Sequence, residues 1–179
     1  MYYATQYPSP IGTLTLASDG SSLVGLWIAG QKYHGGAISQ KMTKKNDVPV
    51  FDAAKKWLDE YFSGKAPAIS GLPLAPAGGE FRQNVWEILC QIPHGEVTTY
   101  GEIAKKMAEK LGCASMSCQA VGGAVGHNPI SIIIPCHRVV GKDGSLTGYA
   151  GGIKTKIKLL ELEGADLSGL YIPKKGTAL

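Results

Sequence analysis

Ile132-Ile133-Ile134-Pro135-Cys136-His137-Arg138-Val139-Val140 is the stretch on which the reading of this chain turns. A buried apolar run stops at a proline and then presents a cysteine beside a histidine. Neighbouring side chains on a strand point to opposite faces, so Cys136 and His137 can act together only where the chain turns sharply, and Pro135 favours that break. A thiol is a strong nucleophile only as thiolate. With an ordinary pKa of about 8.5 it is mostly protonated at neutral pH, so a base or a positive charge must stand close by. His137 and Arg138 are candidates for that task. Glu163, farther along, could return on the last helix and hold the imidazole by one nitrogen, which makes the other a better proton acceptor.

The flanks of this stretch add to it. Asn128-Pro129 lies just upstream, and the glycine-rich loop Gly148-Tyr149-Ala150-Gly151-Gly152 just downstream. Between positions 138 and 158, Arg138, Lys142, Lys154, Lys156 and Lys158 face only Asp143. Such a patch reads either as a phosphate-binding surface or as a solvated face.

Farther upstream, Thr99 and Glu102 are spaced as a capping box, and Ile103, Ala104, Met107 and Leu111 carry a helix to Gly112. Ser117 caps a second short helix from Gln119 to Val125, stopped by Gly126. Two helices joined by a brief turn form a helix-turn-helix. The second holds Gly122 and Gly123 mid-helix, each costing about 1 kcal/mol relative to alanine. Close approach to another surface would offset that cost. The surface could be a neighbouring helix, or DNA contacted without sequence preference, since long base-reading side chains are missing.

The amino-terminal part reads differently. Thr13-Leu14-Thr15-Leu16 alternates in polarity, Ser18-Asp19-Gly20-Ser21 is turn-like, and Leu23 to Ile28 is a second strand. Phe51, Ala54, Leu58, Tyr61 and Phe62 recur at helical spacing before Gly64. Residues 63–79, rich in proline and glycine, read as a linker. The expected organisation is therefore α/β. Residues 1–78 form a small structural α/β domain, residues 79–170 a mainly helical one, and residues 171–179 a flexible tail, with order fading after Asp166. In the second domain Phe81, Val85, Ile88 and Leu89 mark a helix, Pro93-His94-Gly95 a turn, and Ile153 to Glu163 the last helix.

Of the 179 residues, 44% are hydrophobic and 18% charged, which fits a soluble globular protein. No apolar run approaches the roughly 18 residues that span a bilayer. No secretory signal opens the chain, so a cytoplasmic, reducing setting is expected, with Cys90, Cys113, Cys118 and Cys136 as free thiols. The net charge of +4 points weakly to an anionic partner.

Pro135-Cys136-His137-Arg138-Val139, Asn128-Pro129, the Ala120-Val121-Gly122 helix and the Gly148 to Gly152 loop together resemble the O6-alkylguanine-DNA alkyltransferases. The likeness is strongest from Phe81 to Gly164, and Ser9-Pro10-Ile11-Gly12 and the two strands extend it into the first domain. The resemblance implies a ribonuclease H-like amino-terminal domain and a winged-helix-like carboxy-terminal one. It implies direct-reversal DNA repair by a monomer that binds duplex DNA in the minor groove, without sequence preference. An alkylated guanine, and by extension an O4-alkylthymine, is flipped from the stack, and its alkyl group passes irreversibly to the protein's own cysteine in one turnover.

By this resemblance Cys136 is the alkyl acceptor, His137 the base acting through a water, Glu163 the carboxylate orienting it, and Asn128 the support of the turn. Tyr100 helps rotate the nucleotide, touches the flipped base and is the candidate proton donor to the departing guanine. Gln119, Ala120, Gly123, Ala124 and Arg138 fall at DNA-contacting positions, and Val139, Tyr149, Ala150 and Gly151 line the base pocket, where backbone groups of Cys136, Val139 and Ala150 would bind the guanine edge. The family often has an arginine where Gln119 stands, so weaker support of the extruded base is expected here. No cofactor and no metal are implied. Three rivals remain: a cysteine hydrolase, which would need an oxyanion hole; a protein that binds alkylated DNA without repairing it; and a zinc protein drawing on His34, His94, His127 and His137, for which no Cys-x-x-Cys pair exists.

Overall fold

The computed structural model describes residues 1–174, so the end of the expected tail, 175–179, lies outside the described residues. The chain divides into two compact units. The first comprises Met1–Ala77 together with Pro129–Ile133. The second comprises Gly78–Asn128 and the chain from Ile134 onward.

The first unit is built on a four-stranded sheet of order β3-β2-β1-β4. Strands β1 (Tyr2–Ser9), β2 (Gly12–Ser18) and β3 (Leu23–Ile28) pair antiparallel, and β4 (Met42–Lys44) joins β1 in parallel. Helix α1 (Pro49–Phe62) packs against β1, β2 and β3, burying Val50, Phe51, Ala54, Trp57, Leu58 and Tyr61. The expected strand at Thr13–Leu16 lies within β2, and that at Leu23–Ile28 is β3. β1 has only weak alternation, and its hairpin with β2 is set by the tight Pro10-Ile11 connection.

Every residue of β3 is buried. Its outer edge is closed by two short segments. Leu23 N–H donates to Pro73 O (2.8 Å), Ala75 N–H to Leu23 O (2.9 Å), Leu26 N–H to Pro129 O (2.9 Å) and Ser131 N–H to Leu26 O (2.9 Å). Covering an edge in this way satisfies backbone groups that would otherwise invite another strand. The proline-rich stretch read as a linker thus contributes residues 73–75 to the unit, and a single turn of 3-10 helix at Ile69–Gly71. Likewise Pro129–Ile133 belongs to the first unit, although its flanks belong to the second. Ile132, fully buried, has φ 72°, and Ile133 N–H closes a three-residue turn to Ser131 O (2.9 Å). A β-branched residue in that region carries strain of about 1–3 kcal/mol.

In the second unit α2 (Glu80–Leu89), α3 (Tyr100–Leu111) and α4 (Cys118–Gly126) pack on one another. Trp86 Nε1 donates to Ala124 O at 2.9 Å, tying α2 to α4. The expected caps form: Thr99 Oγ1 accepts from Glu102 N–H (3.2 Å), and Ser117 Oγ accepts from Ala120 N–H (3.3 Å). Strands β5 (Thr98–Thr99) and β6 (Val139–Val140) pair in parallel, and α5 (Ile153–Leu162) ends with Glu163 as its C-cap. The chain does not fray after Asp166. Leu167 and Leu170 pack on Val140, Leu146 and Leu160, and Tyr171 exchanges backbone bonds with Gly144 and Leu146. Tyr171 Oη also donates to Asp143, so Tyr171, expected to open the tail, is anchored to the second unit.

Candidate functional site

The apolar run ends where sequence reasoning put the break. Pro135 takes φ −82° and ψ 63°, and Cys136 N–H bonds back to Ile134 O (2.8 Å), closing a tight turn into one turn of 3-10 helix at Cys136–Arg138. Asn128 fixes that turn from the end of α4. Its Nδ2 donates to Ile134 O (2.8 Å) and to Cys136 Sγ (3.1 Å). Burial pushes the thiol pKa up, opposed by the Asn128 hydrogen bond and the charge of Lys156.

His137 is fully buried, and its Nε2 lies 2.6 Å from Glu163 Oε1. Burial holds the imidazole pKa below its usual value, against the pull of Glu163, so the ring is neutral at pH 7. A neutral ring facing a carboxylate donates through Nε2–H, which leaves Nδ1 as the basic nitrogen. Nδ1 is buried and has no protein partner. Glu163 is saturated: Arg138 Nε donates to Oε2 (2.8 Å), Arg138 Nη2 to Oε1 (3.0 Å), and Gly95 N–H to Oε2 (3.1 Å). Although burial works to raise it, the hydrogen bonds from His137 and Arg138 hold the carboxyl well below the usual carboxylate range. Gly95 has φ 80°, and a Cβ there would stand 2.8 Å from Glu163 O, so both its conformation and its close approach require glycine.

Arg138 was expected on the DNA surface. It is buried instead, its guanidinium bound to both oxygens of Glu163 and to Ile92 O (2.6 Å), because a buried carboxylate is costly unless a cation pairs with it. Lys156 departs in the same way from the surface patch expected either to bind phosphate or to be solvated. It is fully buried, with Nζ donating to Val139 O (2.5 Å) and Thr147 O (2.9 Å), and its pKa is held down to about 8 by burial against the attraction of Cys136. Its place on the apolar stripe of α5, between Ile153 and Leu160, was the signal that could have found it. Lys154 and Lys158 stay exposed.

Tyr100 Oη donates to Thr147 O (3.3 Å), and its pKa is pushed up to about 12, chiefly by burial and then by Cys136. Tyr149 is buried with no protein partner for its hydroxyl, its ring set edge-on to His137 at 6.4 Å. Ala150 and Gly151 follow, half-buried, and Val139 is fully buried with its carbonyl already taken by Lys156. Gly148 has φ 70°, and a Cβ there would lie 2.9 Å from Tyr100 Oη. Gly148→Ala should therefore cost about 1–2 kcal/mol, from left-handed strain and displacement of Tyr100. Denaturant unfolding checks this; wild-type stability would refute it.

On α4, Gln119, Ala120 and Gly123 share an exposed face, whereas Ala124 is buried against the core and corrects its expected place on the DNA-facing side. A Cβ at Gly123 would meet nothing within 4 Å, and one at Gly122 would make only ordinary contact with Tyr100 at 3.9 Å. Packing among the helices therefore does not demand these glycines. Among the described residues, no group of three His, Cys, Asp or Glu side chains could hold a metal ion, and no helix is long and apolar enough to cross a membrane.

Comparison with known proteins bears on the whole chain. Residues 1–76 match the family described as 6-O-methylguanine DNA methyltransferase, ribonuclease-like domain, and residues 80–165 match its DNA binding domain. The chain is 44% identical over 161 residues to a methylated-DNA–protein-cysteine methyltransferase of Haemophilus influenzae, covering 90% of this chain and 86% of that protein. It is 42% identical over 173 residues to that of Methanosarcina acetivorans, covering 92% and 99%. Among solved structures it is similar to the O6-methylguanine methyltransferase of Mycobacterium tuberculosis, at 42% identity and TM-score 0.78, covering 94% and 98%. The complex of the M. tuberculosis protein with DNA matches at 41% and 0.76, covering 91% and 92%.

Proposed function

The chain belongs to the 6-O-methylguanine DNA methyltransferases, which repair DNA by moving an alkyl group onto a protein cysteine, and from that premise we propose that Cys136 is the acceptor in a single, irreversible transfer. His137 Nδ1 takes the thiol proton, directly or across one bridging water. The sulfur then bonds to the alkyl carbon as that carbon's bond to guanine O6 breaks, and the electron pair leaves with the base. A proton delivered to the departing guanine completes the balance, and we assign its donation or relay to Tyr100. The product thioether is a very poor leaving group, so each molecule acts once.

The observation that carries this reading is the chain of contacts Asn128–Cys136 and His137–Glu163, with Nδ1 the nitrogen left to accept a proton. Glu163 acts by fixing the tautomer. It also raises the basicity of His137 through its hydrogen bond and charge, an effect that burial outweighs and Arg138 partly opposes. Lys156 lends the developing thiolate a positive field.

DNA binding follows from the family, and we place it on the exposed face of α4. Two glycines that no internal packing requires suit a backbone that lies close in the minor groove, with Gln119 entering the stack in place of the extruded base. O4-alkylthymine would enter by the same route. All four cysteines are unpaired, as a reducing cytoplasm would keep them.

Incubation with duplex DNA bearing O6-methylguanine, followed by mass spectrometry, should show one added methyl on the Cys136 peptide and no turnover beyond one lesion per molecule. The single-turnover rate should be level near pH 7 and fall on acidification only below the usual imidazole range, because burial lowers the His137 pKa. Multiple turnovers, or methylation elsewhere, would overturn the reading.

A further inference from the structure

Asn128 and Cys136, whose contact sets the thiol, are joined by a stretch whose middle, Pro129–Ile133, belongs to the first unit. That stretch is held there by more than backbone pairing to Leu26. Ser131 Oγ donates to Gln31 Oε1 (3.1 Å), and the same oxygen accepts from Ile28 N–H (2.7 Å). Gln31 and Ser131 are both buried, at 7% and 1% exposure, in a unit that carries none of the reacting groups. Between them and the thiol stands Ile132, in a conformation that its side chain disfavours and that must be held from outside.

We propose that Gln31 and Ser131 are positioning residues for the alkyl transfer: by pinning Pro129–Ile133 to the end of β3 they fix the span between Asn128 and Cys136, and so the hydrogen bond from Asn128 to the sulfur. The amino-terminal unit then takes part in the chemistry through the covalent chain, without touching substrate. A five-residue segment pinned at Leu26 and Gln31 has little slack, because its two ends lead within one residue to Asn128 and within three to Cys136. Freed, Ile132 would relax to an extended conformation and redirect the turn at Pro135. The proposal rests on the alkyl-transfer reading.

The test uses the full chain and single-turnover transfer from O6-methylguanine duplex. Ser131→Ala removes one donor and leaves Gln31 Oε1 its bond from Ile28, so it is the milder variant; Gln31→Ala removes both. Ser131→Ala should lower the rate constant of the folded fraction by about tenfold, the equivalent of one neutral hydrogen bond, and Gln31→Ala by more. Each should also lower the plateau of the rate–pH profile while leaving its acid limb, which His137 sets, in place, because a thiol that loses the Asn128 bond is harder to ionise. Thr5→Ala, which removes another side-chain hydrogen bond of the first unit (buried Thr5 Oγ1 to exposed Asn46 Oδ1, 2.8 Å), serves as the control and should leave both rate constant and profile unchanged. If Ser131→Ala or Gln31→Ala lowers only the burst amplitude, at an unchanged rate constant and profile, the pair is merely structural and the proposal is overturned. Failure of the wild-type protein to take up methyl would instead sink the functional reading itself.

Discussion

Cys136→Ser should leave a folded protein that still binds DNA but accepts no alkyl group. The two side chains are nearly isosteric, and Asn128 Nδ2, 3.1 Å from the sulfur, can donate to a hydroxyl as readily. Burial of the site, with Cys136 at 6% exposure, is preserved. What changes is acidity. The thiol is already made harder to ionise by burial, and it reacts because Asn128, Lys156 and the neighbouring backbone oppose that penalty while His137 removes the proton. A serine hydroxyl is a far weaker acid, and an imidazole whose own basicity burial has lowered cannot take its proton to a useful extent. The transfer rate should drop by at least about 10⁴-fold, the scale of losing a nucleophile elsewhere. Unfolding free energy should stay within about 1 kcal/mol of wild type. The check is mass spectrometry over long incubation with methylated duplex, beside a gel-shift measurement of DNA binding. A methylated Cys136→Ser protein would place the acceptor at another residue.

Much of this was legible because it was local. Pro135 and the two residues after it announce a turn and a nucleophile by their order alone. Thr99 and Ser117 announce helix starts by their spacing to the amides they cap, and both bonds form. Glu163 could be assigned to His137 across the intervening loop because the family resemblance supplied the pairing, which the ring-to-carboxylate distance of 2.6 Å agrees with.

What escaped was non-local or went against residue habit. Arg138 and Lys156 are long cations of the kind normally found in water, and residue type alone assigns them to the surface. Each is buried because a buried acceptor stands where its head group ends: the Glu163 carboxylate for one, the Val139 and Thr147 carbonyls for the other. Nothing in the order of residues states that Ile92 O and Gly95 N converge on the same site. The transfer of Pro129–Ile133 to the first unit is likewise invisible locally, since it is decided by an edge of β3 about a hundred residues earlier in the chain. The apolar run was recognised as buried, but which core it enters is a matter of topology.

Arg138→Ala should give the largest loss of stability among single substitutions at the site. Glu163 would keep His137 and the Gly95 amide but lose both guanidinium bonds, leaving a buried carboxylate without its cation. Breaking a buried pair from one side costs about 3–5 kcal/mol, most of it the burial of the abandoned charge. The sign of the pH dependence follows from Glu163. In the wild type its folded pKa is depressed, so its contribution is fully present above the unfolded value of about 4.5 and is lost as pH falls toward the lower folded value. Without Arg138 the folded carboxyl titrates higher and that acid loss shrinks or reverses. The deficit of the variant should therefore be greatest near neutral pH and narrow as the pH drops below about 4.5. Urea unfolding of both proteins at pH 7 and pH 4 measures it, and a deficit under about 1 kcal/mol, or one independent of pH, would contradict the assignment. A second consequence separates stability from chemistry. Arg138 helps to hold the His137 pKa down, so its removal should raise the basicity of the ring and move the acid limb of the transfer rate to higher pH. The tautomer, still fixed by Glu163, should keep the plateau rate of the folded fraction within about tenfold of wild type.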